Sequence, residues 1–132
     1  MSPTILVLDD FASVRLYHMS FLKRKGYDCL GAASGEEALT IPEQRRVDLI
    51  LLDLDMPGMD GRAFHAQLAA HPRHARLPVL VITSETPAQA DFSALSRPVG
   101  ILTKPVNPAA LLLGVHQLLP VEPAAAPAVT AG

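Results

Sequence analysis

Two acidic residues, Asp9 and Asp10, directly follow the apolar run Ile5-Leu6-Val7-Leu8. Two like charges about 4 Å apart repel by ~4 kcal/mol at an effective dielectric of 20. A pair placed at the end of a buried segment is therefore either solvated or offset by a cation. A third carboxylate, Asp53, closes the run Leu49-Ile50-Leu51-Leu52. Thr83 and Ser84 close a fourth apolar segment and Lys104 a fifth. If these residues meet, the acids form a seat for a hard divalent cation. Mg²⁺ suits it, since it takes oxygen ligands and commonly binds one or two carboxylates together with phosphate. Lys104 then offers a point charge to a phosphoryl oxygen, and Thr83 offers a hydroxyl donor. Asp53, set among metal, ammonium and hydroxyl, suits an acyl-phosphate nucleophile. Phosphoryl transfer needs mainly positioning and charge neutralisation, and these groups supply both.

The elements that must hold these residues alternate along the chain. Strands are expected at Thr4 to Leu8, Tyr27 to Ala32, Val47 to Leu52, Pro78 to Ile82 and Gly100 to Thr103. The first helix is read from Ser13 to Lys25, closed by Gly26, with Val14, Tyr17 and Phe21 on one face and Leu16, Met19 and Leu22 widening it. Ser34 and Glu37 have the spacing of a capping box that opens a second helix, and Pro42 should kink or end that helix. Arg62 to His71 reads as a third helix and Pro87 to Leu95 as a short fourth. Asn107-Pro108 opens a fifth, which ends near Pro120. "MPGMDG", from Met56 to Gly61, is a turn-rich loop. Strands apolar on both faces and separated by helices predict a doubly wound, five-stranded parallel α/β sheet with five helices. Each polar residue singled out ends a strand, and the carboxyl ends of parallel strands share one edge. For the Asp pair to meet Asp53, the first and third strands must be neighbours. The order is then 2-1-3-4-5, the flavodoxin-like order, with its ligand crevice at that edge.

With 132 residues and 49% hydrophobic composition, the chain can build one sizeable core. The expected division is a domain over residues 1–120 and a flexible Pro/Ala-rich tail over 121–132. A net charge of −2 without a basic stripe gives no footprint for direct nucleic-acid binding. Cys29 is the only cysteine, read as a core thiol, so no disulfide framework or Cys-based metal site is expected and a cytoplasmic setting fits. No apolar run approaches 18 residues, so no membrane span is expected. The five histidines show no metal-ligand spacing and are read as surface or helix residues.

The motifs "ILVLDDF", "LILLDLDMPGMDG", "VLVITSE" and "ILTKP", in this order, resemble the receiver domain of two-component response regulators. The resemblance covers Pro3 to Leu119. It implies that Asp53 accepts a phosphoryl group from a sensor histidine kinase or a histidine phosphotransfer protein. It implies Mg²⁺ held by the side chains of Asp10 and Asp53 and the backbone carbonyl of Asp55, with Asp9 binding mainly through water. Thr83 and Lys104 would engage the phosphoryl oxygens, and Lys104-Pro105 would be a cis bond, which a tertiary amide permits. Such a domain controls a downstream target protein or a fused output domain, and it is not an enzyme beyond its own phosphorylation and dephosphorylation. Two departures stand out. Ile101 occupies the position where the family usually carries an aromatic switch residue, and Asp55 places an extra carboxylate beside the acceptor.

Two rivals compete with this reading. "LILLDLD" also resembles the first motif of haloacid-dehalogenase-type phosphatases. In those enzymes the metal-binding acids come late in the chain, whereas here Asp9 and Asp10 come first. A pseudo-receiver that only binds a partner predicts a degraded acidic pocket, and every pocket position here is filled. Taken alone, each residue has an ordinary alternative: Asp9 and Asp10 as solvated loop acids, Asp53 as a turn residue, Thr83 as a strand-end hydroxyl, Lys104 as a surface charge. Leu16 and Met19 are read as a possible docking patch on the first helix, with partial burial as the plainer account.

Overall fold

The computed structural model describes residues 2–53, 66–67, 70, 77–84 and 99–119. Five parallel strands form one sheet: β1 (Thr4–Leu8), β2 (Asp28–Ala32), β3 (Leu49–Asp53), β4 (Val79–Thr83) and β5 (Val99–Thr103). Their order is β2-β1-β3-β4-β5, as the meeting of the acids required. Among the described residues there are three full helices, α1 (Ala12–Arg24), α2 (Gly35–Gln44) and α3 (Pro108–Leu118), against the five expected. Of the segment Arg62 to His71, residues 66, 67 and 70 are helical. The short helix read at Pro87 to Leu95, the loop "MPGMDG" and the tail lie outside the described residues.

The sheet is covered on both faces because alternate strand residues feed two separate cores. Leu6, Leu8, Ile50, Leu52, Val79 and Val81 pack with Ala38 of α2. Ile5, Val7, Leu49, Leu51, Leu80 and Ile82 pack with Leu22 of α1 and with Leu111 and Val115 of α3. Each buried Leu, Ile or Val contributes roughly 1.5–3 kcal/mol relative to an exposed one. The three central strands are therefore buried on both sides. At the amino edge Asp48 ties two of them together. Its Oδ2 accepts the Thr4 N–H at 2.8 Å, and its own N–H donates to Thr4 O at 2.8 Å.

The helix ends follow from local chemistry. Ser34 Oγ accepts the Glu37 N–H at 3.2 Å, while Glu37 Oε1 accepts the Ala33 N–H at 2.9 Å, one residue before the cap. Asn107 Oδ1 accepts the Ala109 N–H at 2.7 Å and opens α3 at Pro108. Gly26 follows α1 at φ +99°, a conformation costly for other residues, and its N–H donates to Lys23 O. The helix α2 runs through Pro42 to Gln44 rather than ending there. A proline in the last turn forfeits a single intrahelical bond, and the Arg45 N–H still closes the turn on Ile41 O at 2.8 Å.

The inward face of α1 differs from the one expected. His18 and Leu22 are its buried residues, whereas Val14, Leu16 and Tyr17 are exposed. Met19 and Phe21 are partly buried against the α1–α3 core, so Leu16 and Met19 do not form one exposed patch. Cys29, read as a core thiol, is half-buried. Its Sγ donates to Met19 O at 3.6 Å, and burial pushes it up to about 11. No described helix is long and apolar enough to cross a membrane.

Two glycines let α3 approach the sheet. A Cβ on Gly114 would lie 3.2 Å from both Leu80 methyls, and one on Gly100 would lie 3.0 Å from Leu80 Cδ1. Leu80 is fully buried between them and has no free direction in which to yield. In Gly114→Ala, a helix-propensity gain of up to ~1 kcal/mol opposes an overpacking cost of ~1–3 kcal/mol. Urea unfolding should show Gly114→Ala to be destabilised by about 1 kcal/mol, with part of the loss recovered when Leu80→Val is added.

Candidate functional site

The carboxyl ends of β1, β3, β4 and β5 converge on one edge, as anticipated. Leu8 of β1 pairs with Leu52 of β3, so Asp9 stands level with Asp53. One carboxylate oxygen from each of Asp9, Asp10 and Asp53 can be chosen so that the three lie within 4.8 Å of one another. Asp9 and Asp53 are 4% and 5% exposed, whereas Asp10 opens to solvent. Lys104 reaches in from the end of β5 and sets its Nζ 3.1 Å from Asp53 Oδ1. Thr83, the last residue of β4, is fully buried, and its carbonyl accepts the Lys104 N–H at 2.9 Å. That bond carries the β4–β5 ladder one residue further and fixes where the Lys104 side chain begins. The Lys104-Pro105 bond is cis, as the resemblance implied. Asp55 lies outside the described residues. Ile101 is half-buried against the α2-side core.

Asp9 is held at three points. Its N–H donates to Ala32 O at 3.1 Å, its Oδ1 accepts the Phe11 N–H at 3.0 Å, and its carbonyl accepts Arg15 Nη1 at 2.7 Å. The bond to Phe11 is the Asx-type bridge that short acids form two residues ahead. Burial raises the Asp9 carboxyl above the ordinary carboxylate value. The Phe11 amide opposes that rise, the Asp53 and Asp10 charges add to it, and Lys104 pulls it down. Holding three carboxylates together thus costs free energy in the metal-free protein. That is the condition under which a divalent cation is taken up: the donors are hard oxygens, two of them desolvated, with only one ammonium among them. These residues fit Mg²⁺.

Two residues of the neighbourhood carried no legible signal in the sequence. Arg15 binds a backbone carbonyl, which has no residue-type signature. His18, read among the surface or helix histidines, is on α1 as that reading allowed but is 6% exposed, on the face that packs on the sheet. Burial lowers its pKa, with the Asp53 charge raising it and the Lys104 charge lowering it. The one trace of His18 was its spacing four residues before Leu22, which places both on one helical face.

A family model for the response regulator receiver domain matches residues 5–116. Sporulation initiation phosphotransferase F of Bacillus subtilis is 32% identical over 82% of this chain and 84% of its own length. The probable transcriptional regulator ycf27 of Porphyridium aerugineum is 32% identical over 87% of this chain, which spans 47% of that protein. The structure of the chemotaxis response regulator CheY4 of Vibrio cholerae superposes with a TM-score of 0.82 at 31% identity, covering 90% of this chain and all of that one. The chain belongs to the response regulator receiver domain family, the phospho-accepting modules of two-component signalling.

The pKa shifts of Asp9 and His18 act on stability with opposite pH dependence. A carboxyl whose pKa is higher folded than unfolded loses stability on ionising, a loss that is absent once both states are protonated. Asp9→Asn, which keeps the acceptor for Phe11, should therefore raise the urea midpoint at pH 7 in magnesium-free buffer. The gain should fade as pH falls from the raised folded value through 3.8, the ordinary one. His18 is depressed below 6.5, so the unfolded chain takes up the proton first and stability is lost as pH falls. In His18→Leu, that part of the acid sensitivity between about pH 5 and 7 should vanish from unfolding curves.

Proposed function

We propose that Asp53 is the phosphoacceptor of this receiver, working with Mg²⁺ held by the side chains of Asp10 and Asp53 and the backbone carbonyl of Asp55, with Asp9 acting mainly through water. The observation that carries this reading is the meeting of Asp9, Asp10 and Asp53 at the sheet edge with Lys104 Nζ 3.1 Å from Asp53. When bound, the cation neutralises the oxygens of the incoming phosphoryl group and of its acceptor. An Asp53 oxygen attacks phosphorus while the P–N bond of a donor phosphohistidine breaks, the electron pair staying on the imidazole nitrogen. Lys104 exchanges its pairing with the Asp53 carboxylate for pairing with a phosphoryl oxygen. Thr83 supplies a hydroxyl to a second one. The phosphoryl donor is a sensor histidine kinase or histidine phosphotransfer protein, and the phosphorylated domain controls a target protein or a fused output domain. The phosphatase reading is not favoured, since the family is shown and the metal-binding acids precede the acceptor in chain order.

Incubation with acetyl phosphate and Mg²⁺, read by intact mass, tests the proposal. The wild-type chain should gain one phosphoryl group, and the gain should disappear in Asp53→Asn and when EDTA replaces the metal. A gain that survives Asp53→Asn would move the acceptor elsewhere, and steady turnover of a phosphomonoester would revive the phosphatase reading.

A further inference from the structure

We infer that Arg15 is a positioning residue for the acidic cluster: its guanidinium fixes the peptide plane between Asp9 and Asp10 and so sets the direction in which Asp10 presents its carboxylate. The inference rests on the magnesium reading above and adds to it a residue outside the pocket.

Asp10 is the least constrained of the three acids. It is exposed, and among the described residues its side chain has no hydrogen bond or ion pair. Its orientation must come from the backbone on either side. The Asp9 carbonyl and the Asp10 N–H lie in one rigid trans peptide unit, so holding that oxygen holds the plane. Arg15 Nη1 holds it at 2.7 Å. On the far side, the Phe11 N–H is held by Asp9 Oδ1 at 3.0 Å, which fixes the plane between Asp10 and Phe11. Asp10 therefore sits between two pinned peptides, and Arg15 supplies the only side-chain pin from α1 among the described residues.

The path of the Arg15 side chain is itself built into the sheet. Arg15 lies across β2 at Gly31, where a Cβ would come within 3.2 Å of Arg15 Cδ, 3.4 Å of Nε and 3.0 Å of Met19 Sδ. Glycine weakens a strand and marks close approach by another group. Here that group is the arginine stem, so Gly31 and Arg15 are two parts of one device.

Charge and geometry predict opposite signs. Removing a cation from beside three carboxylates should, by Coulomb attraction alone, tighten binding of a second cation. Losing the pin should weaken it, because Asp10 must then be ordered on binding. Full-length wild type, Arg15→Met, Arg15→Lys and Gly31→Ala are titrated with MgCl₂ by calorimetry, and the metal-free amide NMR spectra are compared. Loss of a group that orients a metal ligand costs about tenfold in affinity, so Arg15→Met should weaken Mg²⁺ binding by that order. Arg15→Lys, which keeps one donor, should recover part of the loss, and Gly31→Ala should shift affinity the same way by less. In metal-free Arg15→Met the Asp10 and Phe11 amide signals should move or broaden. Unchanged or tighter Mg²⁺ binding in Arg15→Met, with those amides in place, overturns the inference and leaves the magnesium reading intact. If wild type takes up no Mg²⁺, both fall. Should Arg15→Met fail to fold, Gly31→Ala decides, and wild-type affinity there counts against the pin.

Discussion

Repulsion among three carboxylates is the constraint on which this molecule is arranged. Asp9, Asp10 and Asp53 come together at one edge of a sheet whose interior is otherwise apolar, and two of the three are almost wholly removed from water. Locally, the Phe11 N–H on Asp9 and the Lys104 ammonium on Asp53 favour that arrangement. It persists because the strands that carry it, β1 and β3, are adjacent and buried on both faces, so the backbones of Asp9 and Asp53 cannot part without opening a core. The cost is tolerated in the usual manner of functional sites, where a locally unfavourable feature is held by a surplus of stability elsewhere.

The two-sided core also decides what the pocket can feel. Side chains alternate along a strand, so Asp53 continues the row of Leu49 and Leu51, which faces α1 and α3. His18 lies on the buried face of α1, where burial lowers its pKa while the Asp53 charge raises it and the Lys104 charge lowers it. Thr83 continues the row of Val79 and Val81 on the other side of the sheet. Thr83 and Asp53 therefore lie over different layers. Ile101 lies in the same layer as the Thr83 row, half-buried and without a polar tip, so that layer has an aliphatic side chain where an aromatic one was looked for.

Most of the sheet and the described site were legible in the sequence, for a physical reason. A buried parallel strand must be apolar on both faces, and any charge that ends it must lie at the shared edge. The runs before Asp9, Asp53 and Lys104 could therefore be read directly, and the strand order followed from asking that the acids meet. The orientation of α1 was not legible in this way. Val14, Tyr17 and Phe21 have the right period, but counting apolar residues gave no weight to His18, and the true inward face centres on His18 and Leu22. A buried imidazole shifts the apparent apolar centre of a helix away from its real one. Pro42 misled in the opposite sense, since a strong breaker carries little weight in a final turn that Arg45 can close. Arg15 was silent because its partner is a carbonyl, and every residue has one.

The charge balance of the pocket explains why a lysine, rather than another neutral donor, completes it. Among the described residues, three carboxylates face one ammonium at this edge, an excess of negative charge that a divalent cation would offset. Without Lys104 the described acids would face no ammonium, and the edge would be more strongly anionic toward a phosphoryl group that is itself anionic. On the proposed reading, Lys104 removes one of the negative charges that an approaching anionic phosphoryl group would meet. The Lys104 side chain is also 37% exposed, while that of Asp53 is 6% exposed. The ammonium thus keeps part of its hydration and can follow an oxygen outward, whereas a fully buried partner would have to be desolvated anew. A flexible stem with a compact charge suits that movement better than the planar fork of arginine, which would hold the Asp53 carboxylate in a fixed bidentate geometry. The same edge that makes the acids costly to assemble therefore makes them receptive, with the lysine tuning how much of the cost is left for the metal to relieve.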